Sequence, residues 1–253
     1  MKITFIAHSG FLVEWDKFYT LFDWWEGELP PLKSGKPLLV FASHSHEDHF
    51  DPKIFRLYAQ YPDTRYILSH DIRLARRRWH KVDMTEEIFE RVTSIRVDSL
   101  LSTEVSGEAL TIRTIHSTDV GVAFLLSAEG KLIYHAGDLN WWHWEEEGRL
   151  YCTNMAANYR RAIEKLAAAV RDEAADAGCA AILSAAMAPL DPRMGESSSG
   201  MGIEYLLKNV PVAKLFPMHL WEHFDEIERY RREHPADADR IIPIQRNGET
   251  FAL

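Results

Sequence analysis

The nine residues Ser43-His44-Ser45-His46-Glu47-Asp48-His49-Phe50-Asp51 carry most of the chemistry legible in this chain. His44, His46, Asp48 and His49 place four metal-capable side chains within six positions. The run before them, Leu38-Leu39-Val40-Phe41-Ala42, is apolar throughout and predicts a fully buried strand. If that strand continues, His44 and His46 share a face with their backbones roughly 7 Å apart. From there both imidazoles reach one ion at roughly 2 Å. Asp48 and His49 fall in the turn beyond, placed for a second ion beside the first. Asp51-Pro52 reads as an N-cap and first helical residue, so a helix should begin there. A single histidine is ordinarily a core or surface residue, whereas four ligand types packed at one strand end are hard to explain by packing alone.

This H-x-H-x-D-H arrangement resembles the metallo-β-lactamase superfamily of metal-dependent hydrolases. The resemblance implies further ligands downstream in a fixed order. Ile112-Arg113-Thr114-Ile115-His116 is an alternating strand ending in histidine, followed by Ser117-Thr118-Asp119. Lys131 to Asp138 is a strand ending in Gly-Asp, like the family's bridging aspartate, and Lys214 to His219 is a short strand ending in the last histidine. In the resembling proteins His44, His46 and His116 would hold one ion, Asp48, His49 and His219 the other, and Asp138 would bridge them. The opening Met1 to Glu14 looks like the branch that includes L-ascorbate-6-phosphate lactonase-like proteins. Gly137 to Trp144 and Leu190-Asp191-Pro192-Arg193 are similar to a subgroup of bacterial members.

That donor set is nitrogen and oxygen only, which suits two Zn2+ ions per chain and leaves Mn2+ or Fe2+ open. Two ions roughly 3.5–4 Å apart share a water and lower its pKa toward neutrality. The resulting hydroxide would attack a carbonyl carbon or phosphorus atom, with Asp48 orienting it, and no serine or cysteine nucleophile is required. Bound histidines need their second nitrogen anchored. Asp23, at the end of Tyr19-Thr20-Leu21-Phe22, is a candidate anchor, and a turn residue otherwise. His8, beside Ser9-Gly10, is a candidate for the site rim or simply a hydrogen-bonded turn histidine. Ser43 and Ser45 read as packing or backbone partners. Trp141, Trp142 and His143, with Trp144, follow the bridging aspartate and cannot all point inward from one loop, so some should line the mouth. Arg193 is placed to bind a carboxylate or phosphate with its fork, unless Asp191 occupies it.

These expectations converge on a metal-dependent hydrolase of a small, anionic ester, lactone or phosphoester. Other readings are a phosphodiesterase or nuclease of the same superfamily, or a non-catalytic metal-binding or sensing domain. A TIM-barrel amidohydrolase also begins with H-x-H, but the adjacent Asp48-His49 and the missing repeated strand-helix units speak against it.

The elements that must position these residues are an α/β set. Strands are expected at 2–7, 11–15, 18–23, 38–43, 65–69, 92–97, 110–116, 120–127 and 131–135. A helix over 154–177 follows, with Ile163, Leu166, Ala167, Val170 and Ala174 as its buried stripe and Gly178 as its stop. Strand 180–185, a helix near 201–209, strand 213–218 and a helix near 221–233 complete the chain. Strands first and strand-helix alternation later fit two packed sheets with helices outside, and the resemblance implies the four-layer αββα sandwich. The 253 residues suit a single domain, and 46% apolar residues suffice for its core. A net charge of −9 argues against a broad nucleic-acid surface. The basic cluster Arg76-Arg77-Arg78 with His80 and Lys81 reads as a solvated helix face, or else as an anion contact. Cys152 and Cys179 lack disulfide or metal spacing and read as reduced thiols. No signal peptide and no run of ~18 apolar residues is visible, so a cytoplasmic protein without membrane attachment is expected.

Overall fold

The structure is a computed structural model describing residues 1–253, apart from the side chain of Arg78. In chain order its strands are β1 (Lys2–Ala7), β2 (Gly10–Glu14), β3 (Tyr19–Phe22), β4 (Leu38–Ala42), β5 (Thr64–Ser69), β6 (Val92–Ile95), β7 (Leu100–Val105), β8 (Glu108–His116), β9 (Val122–Ala128), β10 (Lys131–His135), β11 (Leu183–Pro189), β12 (Leu215–Met218) and β13 (Glu249–Ala252). The α-helices are α1 (Leu57–Gln60), α2 (Glu86–Phe89), α3 (Gly148–Ala177), α4 (Met201–Asn209) and α5 (Asp225–Glu233).

The strands form two sheets, ordered β13-β1-β2-β3-β4-β5-β6 and β12-β11-β10-β9-β8-β7. Their inner faces share one aromatic core, in which Phe41 meets Phe22 at 4.8 Å and Phe124 at 5.2 Å, and Phe11 meets Phe216 at 6.1 Å. Outside the first sheet, Ile54, Phe55, Leu57, Met84 and Ile88 cover Leu38, Val40 and Tyr66. Outside the second, α3 packs on β8, β9 and β10, and α4 on β11. This is the expected αββα layering of a metallo-β-lactamase fold.

Each sheet begins antiparallel and turns parallel where the site is built. β3 and β4 run parallel, as do β10, β11 and β12. Parallel strands deliver their carboxyl ends to one edge, and the residues just past those ends are Asp23, Ser43-His44, Asp138, Asp191 and His219. The two sheets touch there. Val122 N donates to Ser43 O at 3.0 Å, joining the start of β9 to the end of β4.

Several sequence boundaries shift. β7 and β13 escape the sequence reading because both are edge strands with half-exposed, partly polar faces. α3 begins six residues before the expected 154, since its first turns are largely exposed and carry no apolar stripe. Its buried stripe holds Ile163, Leu166, Val170 and Ala174 as expected, whereas Ala167 is only half-buried at the edge of that face, and Gly178 ends the helix in the left-handed region at φ 62. α5 starts at Asp225 rather than near 221, because Trp221 and Glu222 take left-handed backbone at φ 50 and 64. Asp51 caps the 3-10 turn Pro52–Arg56 through Lys53 N at 2.8 Å, where a helix was expected to begin. Arg76 pairs with Glu86 at 2.5 Å, and the Arg78 part of the basic cluster lies outside the described residues. Cys152 and Cys179 are free. Among the described residues, no helix is long and apolar enough to cross a membrane.

Gly121, just before β9, lies against the end of β4 with no room for a side chain. Its φ is +73, and a Cβ there would meet Ser43 O at 2.1 Å and His44 Cβ at 2.5 Å. Gly121→Ala should therefore force β4 and β9 apart and drag His44 with them. A left-handed alanine plus an overpacked contact should cost about 2–5 kcal/mol. Urea unfolding together with metal analysis checks this; unchanged stability and full metal content would show that the close approach is not required.

Candidate metal centre

Histidines and carboxylates converge at this edge in two adjoining groups. His44, His46, Asp119 and Asp138 form one, and His8, Asp48, His49 and His219 the other, with the ligand atoms of each group within 4.8 Å of one another. Asp138 stands between them. Its Oδ2 lies 3.4 Å from His44 Nε2, while its Oδ1 lies 3.0 Å from His49 Nε2 and 2.8 Å from His219 Nε2.

The imidazoles are oriented from behind. Asp23 is fully buried; its Oδ1 accepts from Ser43 N at 2.7 Å, and its Oδ2 accepts from Ser43 Oγ at 2.6 Å and His49 Nδ1 at 2.7 Å. Ser43 Oγ in turn accepts from His44 Nδ1 at 2.9 Å. Asp191, also fully buried, receives His219 Nδ1 and Trp221 Nε1, both at 3.4 Å. Anchoring each Nδ1 fixes the tautomer and leaves Nε2 of His44, His49 and His219 as lone pairs aimed at the common space.

The fit to metal ions rests on these atoms themselves. His49 Nε2 and His219 Nε2 are 2.9 Å apart, and His44 Nε2 and His46 Nδ1 are 3.0 Å apart. With metal–nitrogen bonds of roughly 2.0–2.1 Å, neighbouring ligands sit roughly 2.9–3.4 Å from each other. Asp138 Oδ1 and His8 Nε2 are buried without a hydrogen bond, facing other ligand atoms instead. A cation satisfies all of them at once. Left-handed backbone at His8, Asp23 and His219, with φ of 50, 42 and 62, holds three of the contributors in strained turns. Strain of this kind, roughly 1–3 kcal/mol per residue, persists only where the surroundings enforce it.

A family model described as a β-lactamase superfamily domain matches residues 2–149, more than half of the chain. The chain belongs to the metallo-β-lactamase superfamily. It is similar to a UPF0173 metal-dependent hydrolase of Korarchaeum cryptofilum (strain OPF8), 27% identical over 170 residues that cover 62% of this chain and 68% of the relative. Among solved structures it resembles Igni18, a metallo hydrolase of Ignicoccus hospitalis KIN4/I, with TM-score 0.61 and 19% identity over 100% of this chain and 98% of that one. A second, at TM-score 0.53 and 15% identity over 100% and 99% of the two chains, is an isothiocyanate hydrolase from Delia radicum gut bacteria. The chain is a metallo-β-lactamase-fold hydrolase.

Within this metallo-β-lactamase fold, six of the seven ligand candidates from the sequence come together: His44, His46, Asp48, His49, Asp138 and His219. His116 does not join them. It is exposed, its Nδ1 contacts Ser117 O at 2.5 Å, and it borders a separate cavity under α3. Asp119 stands in its group instead. The turn from 117 to 121 carries Asp119 back over the site while His116 stays at the strand end, and only a carboxylate three positions past a strand-end histidine hinted at it. His8 sits within the second group rather than on the rim alone, with Nε2 3.5 Å from Asp48. Asp23 contacts His49 as an anchor should. Ser43, expected to be a packing partner, bridges Asp23 and His44.

The open side of the site is a cavity of about 360 Å³ bounded by Trp142, Trp144, Tyr151, Met155 and Arg193. Trp142 and Trp144 stack with an interplanar angle of 4°, and Trp142 Nε1 donates to Asp138 O at 3.0 Å. Trp141 turns the other way, under Arg160 at 4.8 Å and against Tyr205 at 5.7 Å, because successive residues of an extended segment point to opposite sides. His143 is not among the cavity's lining residues. Arg193 borders the cavity with its fork on Asp191, Nη2 to Oδ2 at 2.5 Å, and lies 4.4 Å over the Trp221 ring.

Burial works to lower His49, but Asp138 and Asp23 outweigh it and raise its pKa from 6.5 to about 10. Burial lowers His8 to about 4 despite Asp48. Although burial opposes it, Asp138 is held well below the usual carboxylate range by His49 and His219. The raised pKa means that the metal-free protein gains stability from His49 fully below pH 6.5 and loses it as pH climbs through about 10. The melting temperature of chelated protein should thus fall between pH 7 and 10, and His49→Asn should flatten that slope. A flat profile in the chelated wild type overturns the charge assignment. Metal analysis separates the two aspartate and histidine candidates: Asp119→Ala should lower metal stoichiometry and His116→Ala should not.

Proposed function

We propose that this protein is a dinuclear metal hydrolase of small molecules, with two Zn2+ ions as the first expectation. The observation that carries this reading is the Asp138 carboxylate, which turns one oxygen toward each ligand group. His44, His46, Asp119 and Asp138 would hold one ion, and His8, Asp48, His49, His219 and Asp138 the other. Each group is rich in oxygen as well as nitrogen, a composition that also admits Mn2+ or Fe2+. When bound, such ions acidify a water and polarise the oxygen of the scissile bond.

The chain's own residues supply the remaining work. Asp48 borders the cavity beside Asp138 and is partly exposed, so it can accept a hydrogen bond from an attacking water and aim it. Its carboxyl is held low against its own burial by His8, His49 and His219, which keeps it an acceptor at neutral pH. Trp142 and Trp144 offer a flat apolar wall against which a ring or hydrocarbon body packs. Tyr151 borders the same space and presents a phenol to the leaving group's surroundings. With Arg193 and the tryptophans at the mouth, a small-molecule ester, lactone or phosphoester suits a cavity of this size better than a polymer.

The branch resembling L-ascorbate-6-phosphate lactonase-like proteins supports phosphorylated lactones as first substrates to test. An isothiocyanate joins the panel because one fold relative is named for hydrolysing it. Asp138→Ala should abolish at least ~99% of turnover on whichever substrate responds, lower metal content, and leave the circular-dichroism spectrum intact. Its carboxylate compensates both ions while the core lies elsewhere, between the sheets. Full turnover by this variant would falsify the bridging role, and failure of metal-loaded wild type on the whole panel would count against the hydrolase reading.

A further inference from the structure

A second cavity, of about 280 Å³, adjoins the metal site on the α3 side. His116, Ser117 and Thr118 form one wall, and Asn158, Arg161 and Lys165 the other. Thr118 borders both cavities. So does a single face of α3: Tyr151 and Met155 line the metal cavity, while Asn158, Ala162 and Lys165 line the second. Spacings of three and four residues place these side chains in one row along the helix. The two cavities are successive stretches of one trough between α3 and the 115–119 segment. At ~1.5 Å per residue, Arg161 lies roughly 9 Å along the helix from Met155.

The far end of this trough is basic in a chain whose net charge is −9. Lys165 is offset by Asp98 at 2.7 Å. Arg161 contacts only neutral groups: its Nη2 donates to Asn158 Oδ1 at 2.6 Å and its Nε to Ala157 O at 3.3 Å. Among the described residues it has no carboxylate partner within ion-pair distance. Arg193, the other arginine beside the site, differs in this respect, since its fork is committed to Asp191. A planar fork with donors to spare, next to an imidazole and two hydroxyl-bearing residues, is suited to an oxyanion.

We propose that Arg161, flanked by Lys165 and His116, holds an anionic end group of the substrate, a carboxylate or a phosphate monoester, roughly 9 Å along α3 from Met155 at the edge of the metal cavity. This rests on the hydrolase reading for its catalytic consequence, but not for the binding itself. The substrate class becomes an elongated molecule: a scissile bond at the ions, an apolar middle along Met155 and the tryptophans, and a charged tail under α3.

The test uses metal-loaded, full-length protein and two aryl esters of one scaffold, one ending in a carboxylate and the other in the neutral carboxamide. Arg161 is exposed, so wild type should favour the charged ester by roughly two- to fivefold in kcat/KM, the range an exposed ion pair supplies. Arg161→Met should erase most of that preference, mainly through KM, and added salt should weaken it in wild type. In parallel, calorimetric titration with glutarate and with inorganic phosphate should show binding that Arg161→Met removes, and the stronger of the two identifies the tail. Equal kcat/KM for the two esters, or an equal loss on both in a variant that melts like wild type, overturns the proposal. If neither ester is turned over although metal is bound, these esters are not its substrates, and the titrations alone decide the anion site: no binding, or binding that Arg161→Met leaves unchanged, overturns it.

Discussion

The buried carboxylate of Asp23 is the group on which the site depends. A carboxylate fully removed from water is costly unless every lone pair is used, and here three donors use them: Ser43 N, Ser43 Oγ and His49 Nδ1. Each of those donors belongs to the segment leaving β4, so satisfying Asp23 fixes the path of the ligand turn. The same serine sets the tautomer of His44, and its carbonyl receives the first amide of β9 from the opposite sheet. One charge therefore ties together β3, β4, two imidazoles and the contact between sheets. His135 adds a neutral neighbour, stacked on Phe22 at 4.9 Å with its Nε2 donated to Ser9 O.

Asp191 plays the corresponding part on the second sheet. It lies two residues past the end of β11, anchors His219 past β12, and absorbs the charge of Arg193. The two anchors sit at equivalent places in the two halves, at carboxyl ends of parallel strands where loops are free to turn over the edge. Left-handed backbone collects at these turns because the chain must reverse within one or two residues to bring an imidazole back over the sheet. Packing beneath pays for that strain, with Phe22, Phe41 and Phe124 forming a close aromatic floor.

Around the cavity, the direction of a side chain and its partners separate residues of one type. Three tryptophans lie within four positions, yet Trp142 and Trp144 line the cavity beside the metal-capable groups while Trp141 supports the α3–α4 contact. Two arginines border the site region, but one is bound to a buried aspartate and the other meets only neutral groups. The distinction lies in what surrounds each cation.

The sequence by itself determined the superfamily, the layered fold and six of the residues that gather in the two metal-capable groups, because those depend on short-range patterns: apolar runs that bury, histidines at strand ends, a glycine before Asp138. It also placed Asp23 correctly as a strand-end carboxylate near the ligands. Tertiary structure alone decided the exchange of Asp119 for His116, the entry of His8 into the second group and the opposite faces of Trp141 and Trp142. Each of these turns on a side chain's direction at the end of a strand, where the period-2 rule lapses as the chain enters a turn. The edge strands β7 and β13 were equally hidden, since half-exposed polar strands form through the neighbours they pair with rather than through their own pattern. Contacts such as Asp23 with His49 or Asp191 with His219 join residues 26 and 28 positions apart, and no local signal in the chain specifies which distant partner a buried charge will meet.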